Sequence, residues 1–428
     1  MGWRPMKWRA LWCAFFCIAP VGTELLADTI DGLINEGLLK SQGLLAAESQ
    51  WRAAQQRIRP ARSLDDPMVG VDVMRMNTRI DDYMGLEYMV SQRLPPLGVR
   101  DARSEAAKLQ ADAAGFRYLE KGREMRASVI EAAWKLRLAE LRVERYDDMT
   151  RLASNMVESV RARYESGQAM AADFARARIE LVRMAVEAAN MRRERPAMLA
   201  ELNALLDAPP DTPRDVSALP PPAPLPLSRE AYLARAGEYR CALLSFDRET
   251  KARVALARAA RREQRPMFEV RVEARQFEGS GGIDEVDTGL FMNIPWLWYG
   301  KYKGMIAEAA AEEQMARAEL AEEIRVTEME VSDFYARAEN NWHTASALRD
   351  EVLPLAGEAL AQAQAAFTSG AGGLMDVIDA QRVLLEVRLE LDTALATYAG
   401  AHARLEQIAG PFGDWEKSTG ALPRELMP

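Results

Sequence analysis

The chain has 428 residues, 49% hydrophobic, 28% charged and 7% aromatic, with a formal net charge of −9. This length allows two ordinary domains or one large one, and a balance rich in Ala, Leu, Arg and Glu points to long amphipathic helices. With no strongly basic domain, the negative balance excludes nucleic acid as the expected partner and argues against long-range attraction to anionic surfaces.

The N-terminal segment "MGWRPMKWRALWCAFFCIAPV" reads as a secretory signal. Arg4, Lys7 and Arg9 precede an apolar run, Ala10 to Val21, that is too short to cross a bilayer as a helix. Cleavage is expected after Ala27 in "ELLADT", which makes residues 1–27 a signal peptide. Cys13 and Cys17 lack the small preceding residue that lipoprotein processing needs, so no lipid anchor is expected. Cys241 is the only other cysteine; it can form no intrachain disulfide in the exported chain and reads as a buried thiol.

The remainder repeats. Residues 161–178, "RARYESGQAMAADFARAR", and 364–382, "QAAFTSGAGGLMDVIDAQR", each place Ser-Gly after an aromatic residue and an Asp six positions beyond the Gly. Gly167 and Gly370 are 203 positions apart, as are Asp173 and Asp376. Pro60 answers Pro266 at an offset of 206, and Gly98 answers Gly300 at 202. Three landmarks agreeing this closely indicate an internal duplication. We assign residues 28–206 to a first repeat, 207–228 to a Pro-rich extended linker, 229–410 to a second repeat and 411–428 to a tail.

Within each repeat the pattern predicts helix, two strands, long helix, turn and helix. Helical periodicity covers 28–58 and 229–264, then runs almost unbroken from Gly98 or Gly300 to the Ser-Gly turn. A run of about 65 residues at 1.5 Å each makes a rod of roughly 100 Å, longer than a globular core needs. Local kinks are expected at Pro196 and Pro354.

Four strands are predicted, at about 68–77, 84–94, 267–277 and 288–296, with turns at about 166–170 and 369–373. Val69, Val71 and Val73 alternate with polar neighbours, as do Val270, Val272 and Ala274 with Glu269, Arg271, Glu273 and Arg275. Alternation alone also suits a soluble half-buried sheet. Strands of about ten residues in an exported chain with no second sheet favour a membrane barrel. Four strands cannot close a barrel, and lipid tolerates no open edge, so oligomerisation is required; three chains would give twelve strands. Trp296, Trp298 and Tyr299, where strand meets helix, suit an interfacial aromatic belt as well as ordinary packing at a strand end.

These features resemble the TolC-like outer-membrane efflux proteins over nearly the whole mature chain. The resemblance rests on the duplicated layout, the "SQRLPPLG" and "NIPWLWYG" junctions, and the turn "SGAGGLMDVIDAQR". It implies a mainly α fold with a membrane β-barrel: a homotrimer whose 12-stranded barrel continues as an α-helical tunnel. It also implies outer-membrane lipid around the barrel, and a periplasmic adaptor protein and an inner-membrane efflux transporter (RND or ABC type) as partners. By resemblance, Asp376 and Asp379 match an acidic ring at the tunnel entrance. Ser166, Gly167, Asp173, Ser369 and Gly370 fall at the tip turns where an adaptor docks. Gly372 stands where some members have an arginine, so an ion-pair lock with Asp173 lacks its partner.

From the residues alone, Asp376 and Asp379 lie three apart on one helix face and read first as caps of that helix; only the resemblance turns the reading toward a ring. Met68, Met74, Met76, Met84 and Met89 read as adaptable apolar filling rather than a Cu(I) site. His343 and His402 have no metal-ligand spacing, and no nucleophile–base, phosphate-loop or dinucleotide motif occurs. No enzyme, cofactor, metal or nucleic-acid role is expected. The expected function is the outer-membrane exit duct of a tripartite efflux system, for cations or drugs. The alternatives are an exit duct for type I protein secretion and a periplasmic coiled-coil adaptor or scaffold.

Overall fold

The computed structural model describes residues 29–75 and 83–422. The expected signal peptide, Met76 and most of the 78–83 link therefore lie outside the described residues.

The first helical stretch is three helices, α1 (Ile30–Lys40), α2 (Gln42–Gln56) and α3 (Ile58–Arg62), rather than the single helix expected over 28–58. Ser41 causes the first break: its extended ψ of 117° ends α1, and its Oγ accepts from the Leu44 N–H to cap α2. Strands β1 (Met68–Arg75) and β2 (Tyr83–Leu94) follow. Gly98, in the left-handed region at φ 82°, turns the chain into α4 (Val99–Glu165). With 67 residues, α4 is a rod of about 100 Å. It returns as α5 (Ala171–Leu205), which continues through Pro196 without a break in the helix assignment, where a kink was expected.

The second repeat follows the same order. Helices α6 (Arg229–Tyr239) and α7 (Cys241–Glu263) replace the single helix expected over 229–264, broken where Arg240 adopts ψ 111°. Strands β3 (Phe268–Phe277) and β4 (Glu285–Met292) come next; β4 starts and ends a few residues earlier than expected. Pro295–Trp298 forms a 3₁₀ turn, because Pro295 cannot donate to a further ladder bond. Helix α8 (Tyr299–Ala347) opens into a π turn at Leu348–Val352 and resumes as α9 (Leu353–Ser369). Pro354 explains the widening, since its ring crowds the preceding turn and it has no N–H to offer. Helix α10 (Leu374–Ala409) returns along the rod, and α11 (Asp414–Ser418) closes the described chain.

The sheet is antiparallel with order β1-β2-β3-β4, so the two repeats meet at the β2–β3 pair. Helix α4 packs against α5, α7 and α10, and α10 packs against α8 and α9. The core is four clusters strung along this bundle rather than one centre. One holds the tip side (Met149, Val160, Leu360, Val377, Leu385), and another joins α1, α4 and α5 to linker residue Val216. The linker is clamped. Arg214 bridges both Glu36 oxygens at 2.7 and 3.1 Å, and the buried Asn203 amide donates to the carbonyls of Pro210 and Thr212. The tail is clamped as well: Trp415 lies against Gly122, and Glu416 pairs with the buried Arg123 at 3.1 Å.

Candidate tunnel entrance and membrane face

The two Ser-Gly turns are built alike. Gly167 (φ 76°) and Gly370 (φ 80°) both adopt the left-handed conformation that ends a helix, which a side chain disfavours. Ser166 Oγ donates to the Arg163 carbonyl and Ser369 Oγ to the Ala366 carbonyl, each at 3.0 Å. A Cβ on either glycine would meet nothing within 4 Å, so both turns present open surface. The turns also touch each other. Arg163 Nη2 donates to the Thr368 carbonyl at 2.7 Å, and its guanidinium lies 4.3 Å from the Phe367 ring centroid.

Asp376 and Asp379 are both exposed on the first turns of α10. Asp376 is also a cap: its Oδ2 accepts from the Gly373 N–H at 2.9 Å. Asp379 lies 3.9 Å from Arg382, whose guanidinium makes two bonds, 3.0 and 2.6 Å, to the buried Glu180 on α5. That cross-hairpin pair went unseen in the sequence reading, although Arg382 is the last residue of the quoted turn motif. Asp173 sits at the third position of α5 and pairs weakly with Arg176 of its own helix at 3.6 Å. No second hairpin partner reaches it among the described residues.

At the other end, the register sorts the strands into two faces. Val69 and Val90, Val90 and Val272, and Val270 and Leu290 are direct partners on one face. Val69, Val71, Val73, Tyr88, Val90 and Leu290 are exposed there. The other face carries charge. Arg275 bonds Glu87 at 3.2 Å and Asp287 at 2.7 Å, and Arg271 bonds Glu269 at 3.1 Å under the Phe291 ring. Met68, Met74 and Met89 share this charged face by register, with Met89 lying over Gly70 and Met74 over Gly85. Trp296, Trp298 and Tyr299 are 60%, 72% and 65% exposed, which excludes ordinary core packing within the chain. No described helix is long and apolar enough to cross a membrane; the sheet is the apolar surface.

A sheet with one exposed apolar face and one charged face, carried on paired helical hairpins about 100 Å long, defines an outer-membrane channel-tunnel subunit. The chain belongs to the outer membrane efflux protein family, whose profile matches residues 33–208 and 236–411. Its fold is that of known channels. VceC from Vibrio cholerae aligns with a TM-score of 0.74 at 18% identity, covering 89% of this chain and 96% of VceC. MtrE from Neisseria gonorrhoeae gives 0.75 at 18%, covering 89% and 88%. CmeC from Campylobacter jejuni gives 0.71 at 12%, covering 93% and 90%. No curated protein sequence matches the chain. The protein is an outer-membrane efflux component.

Proposed function

We propose that three copies of this chain close their sheets into a twelve-stranded barrel and their helices into one tunnel, through which cations or drugs leave the periplasm. The observation that carries this is the unfinished sheet. β1 and β4 are its outer strands, the apolar face is solvent-exposed, and open strand edges are not tolerated in lipid. Two copies would supply eight strands, room for little more than side chains, whereas twelve leave a lumen for the charged face. The exposed turns at Gly167 and Gly370 dock a periplasmic adaptor, which couples the tunnel to an inner-membrane transporter. The solved relatives MtrE and CmeC are described as outer membrane channels, which supports the exit role. Asp376 and Asp379 from each copy form the acidic ring at the entrance, Asp376 capping its helix at the same time. Native mass spectrometry and electron microscopy of the detergent-extracted protein test the assembly. A hollow trimer with a rod of about 100 Å is expected; a monodisperse monomer or a fibre overturns it.

A further inference from the structure

The net charge of −9 hides an uneven distribution. Four segments join strand ends to helices at one end of the sheet: residues 57–67, 95–103, 259–267 and 293–303. Together they hold ten Arg and Lys against four Asp and Glu, a net +6. The link at the opposite end, residues 278–287, holds Glu278, Asp284, Glu285 and Asp287 and no basic residue.

Part of the basic set is used within the chain. Arg103 pairs with Glu263 at 2.6 Å, and Arg100 and Arg262 donate to the carbonyls of Arg62 and Gly98. Arg57, Arg59 and Arg62 around α3, Arg261 in the last turn of α7 and Arg265 after it, and Lys301 and Lys303 on α8 are exposed instead. None of these seven makes an ion pair among the described residues. In sequence they flank the strands that carry the exposed apolar face, at the one end of the sheet where Leu94, Phe268 and Met292 lie side by side, and Lys301 and Lys303 directly follow the exposed Trp296, Leu297, Trp298 and Tyr299. Apolar strands, then aromatics, then basic groups is the order of acyl chain, interface and phosphate in one leaflet. Guanidinium and ammonium groups match phosphate oxygens, and each basic residue at an anionic surface changes partition by about fivefold.

We propose that this collar binds the phosphate headgroups of anionic phospholipids in the leaflet facing the helical part of the chain, fixing how deep the sheet sits. The proposal rests on the sheet lying in the membrane, and its test separates the two. Full-length protein in neutral detergent is mixed with equal amounts of phosphatidylglycerol and phosphatidylcholine of matched acyl chains, repurified, and its retained lipid counted by mass spectrometry. Several-fold enrichment of phosphatidylglycerol is expected. It should vanish in about 1 M salt, where the screening length falls to about 3 Å. It should also vanish in Arg59→Gln/Arg62→Gln/Arg261→Gln/Lys301→Gln/Lys303→Gln, and survive when the three arginines become lysine. Retention in the mixing ratio overturns the collar and leaves the membrane sheet standing; no retention of either lipid overturns both. Displacement by equimolar inorganic phosphate would show a free-anion site and also overturn it, as would undiminished enrichment in the glutamine variant.

Discussion

The carboxylate of Asp376 is held by a backbone N–H, yet it remains exposed beside Asp379 on the same helix face. Capping and a ring of charge make different demands, so they can be measured apart. In a planar bilayer, multivalent cations should block conductance of the assembled protein. Asp376→Ala/Asp379→Ala should lose most of that block while costing only about 1 kcal/mol for the lost cap. Unchanged block in a well-assembled double variant would reject the ring. Glu36 tests a residue of another kind. Chiefly the hydrogen bond from Arg214, helped by Lys40 and opposed by burial, lowers its pKa to about 2 from an ordinary 4.5. A depressed carboxylate stabilises the fold above the unfolded-state pKa and loses that contribution as pH falls from about 4.5 through about 2. The contribution is on the order of 2–3 kcal/mol. Glu36→Gln should therefore unfold more easily at pH 7 and show a flatter stability profile between pH 5 and 2 in acid titrations followed by circular dichroism.

At the scale of elements, each tip turn and each strand face has one property that a substitution can isolate. Gly370→Val meets no steric neighbour and costs only the left-handed strain, about 1–2 kcal/mol. It should leave assembly intact and weaken adaptor capture and efflux, because the new side chain stands on the proposed docking surface. Normal efflux by this variant and by Gly167→Val would remove the turns from the docking site. On the sheet, Val272→Arg puts a charge on the apolar face and should cost about 2–4 kcal/mol at mid-membrane depth. Asp72→Arg, on the charged face, should insert normally. Equal losses in a bilayer-refolding titration would contradict the assignment of faces. Arg382 and Glu180 tie α10 to α5 a few turns above the tip.

For the whole molecule, the sheet register fixes which ends of the strands lie together, and therefore the topology. All four helix-bearing segments leave from one end, and the 278–287 link crosses at the other. A peptide tag inserted after Gly281 should be labelled by an impermeant reagent on intact cells. Labelling that requires a permeabilised outer membrane would reverse the orientation. The basic collar and the acidic 278–287 link give this topology an electrostatic polarity that net charge alone conceals.

The sequence by itself determined the repeats, the rods, the strands and the glycine turns, because each follows from local rules: a period of 3.6 or 2, and a left-handed residue only glycine adopts easily. It was enough to place Gly167, Gly370, Asp173, Asp376 and Asp379 near two turns. It missed the breaks at Ser41 and Arg240, because helical periodicity runs on across a change of backbone direction. Only the tertiary structure decided that the turns touch through Arg163 and Thr368 and that Arg382 reaches Glu180 from another hairpin. It alone showed that the Pro-rich linker and the tail are clamped by Arg214 and Arg123. Those contacts join residues up to 293 positions apart, set by how rods pack, and no local pattern encodes such a distance. The collar was hidden for the same reason: its charges are scattered over four segments of a negative chain, and only the return of every strand to one end gathers them.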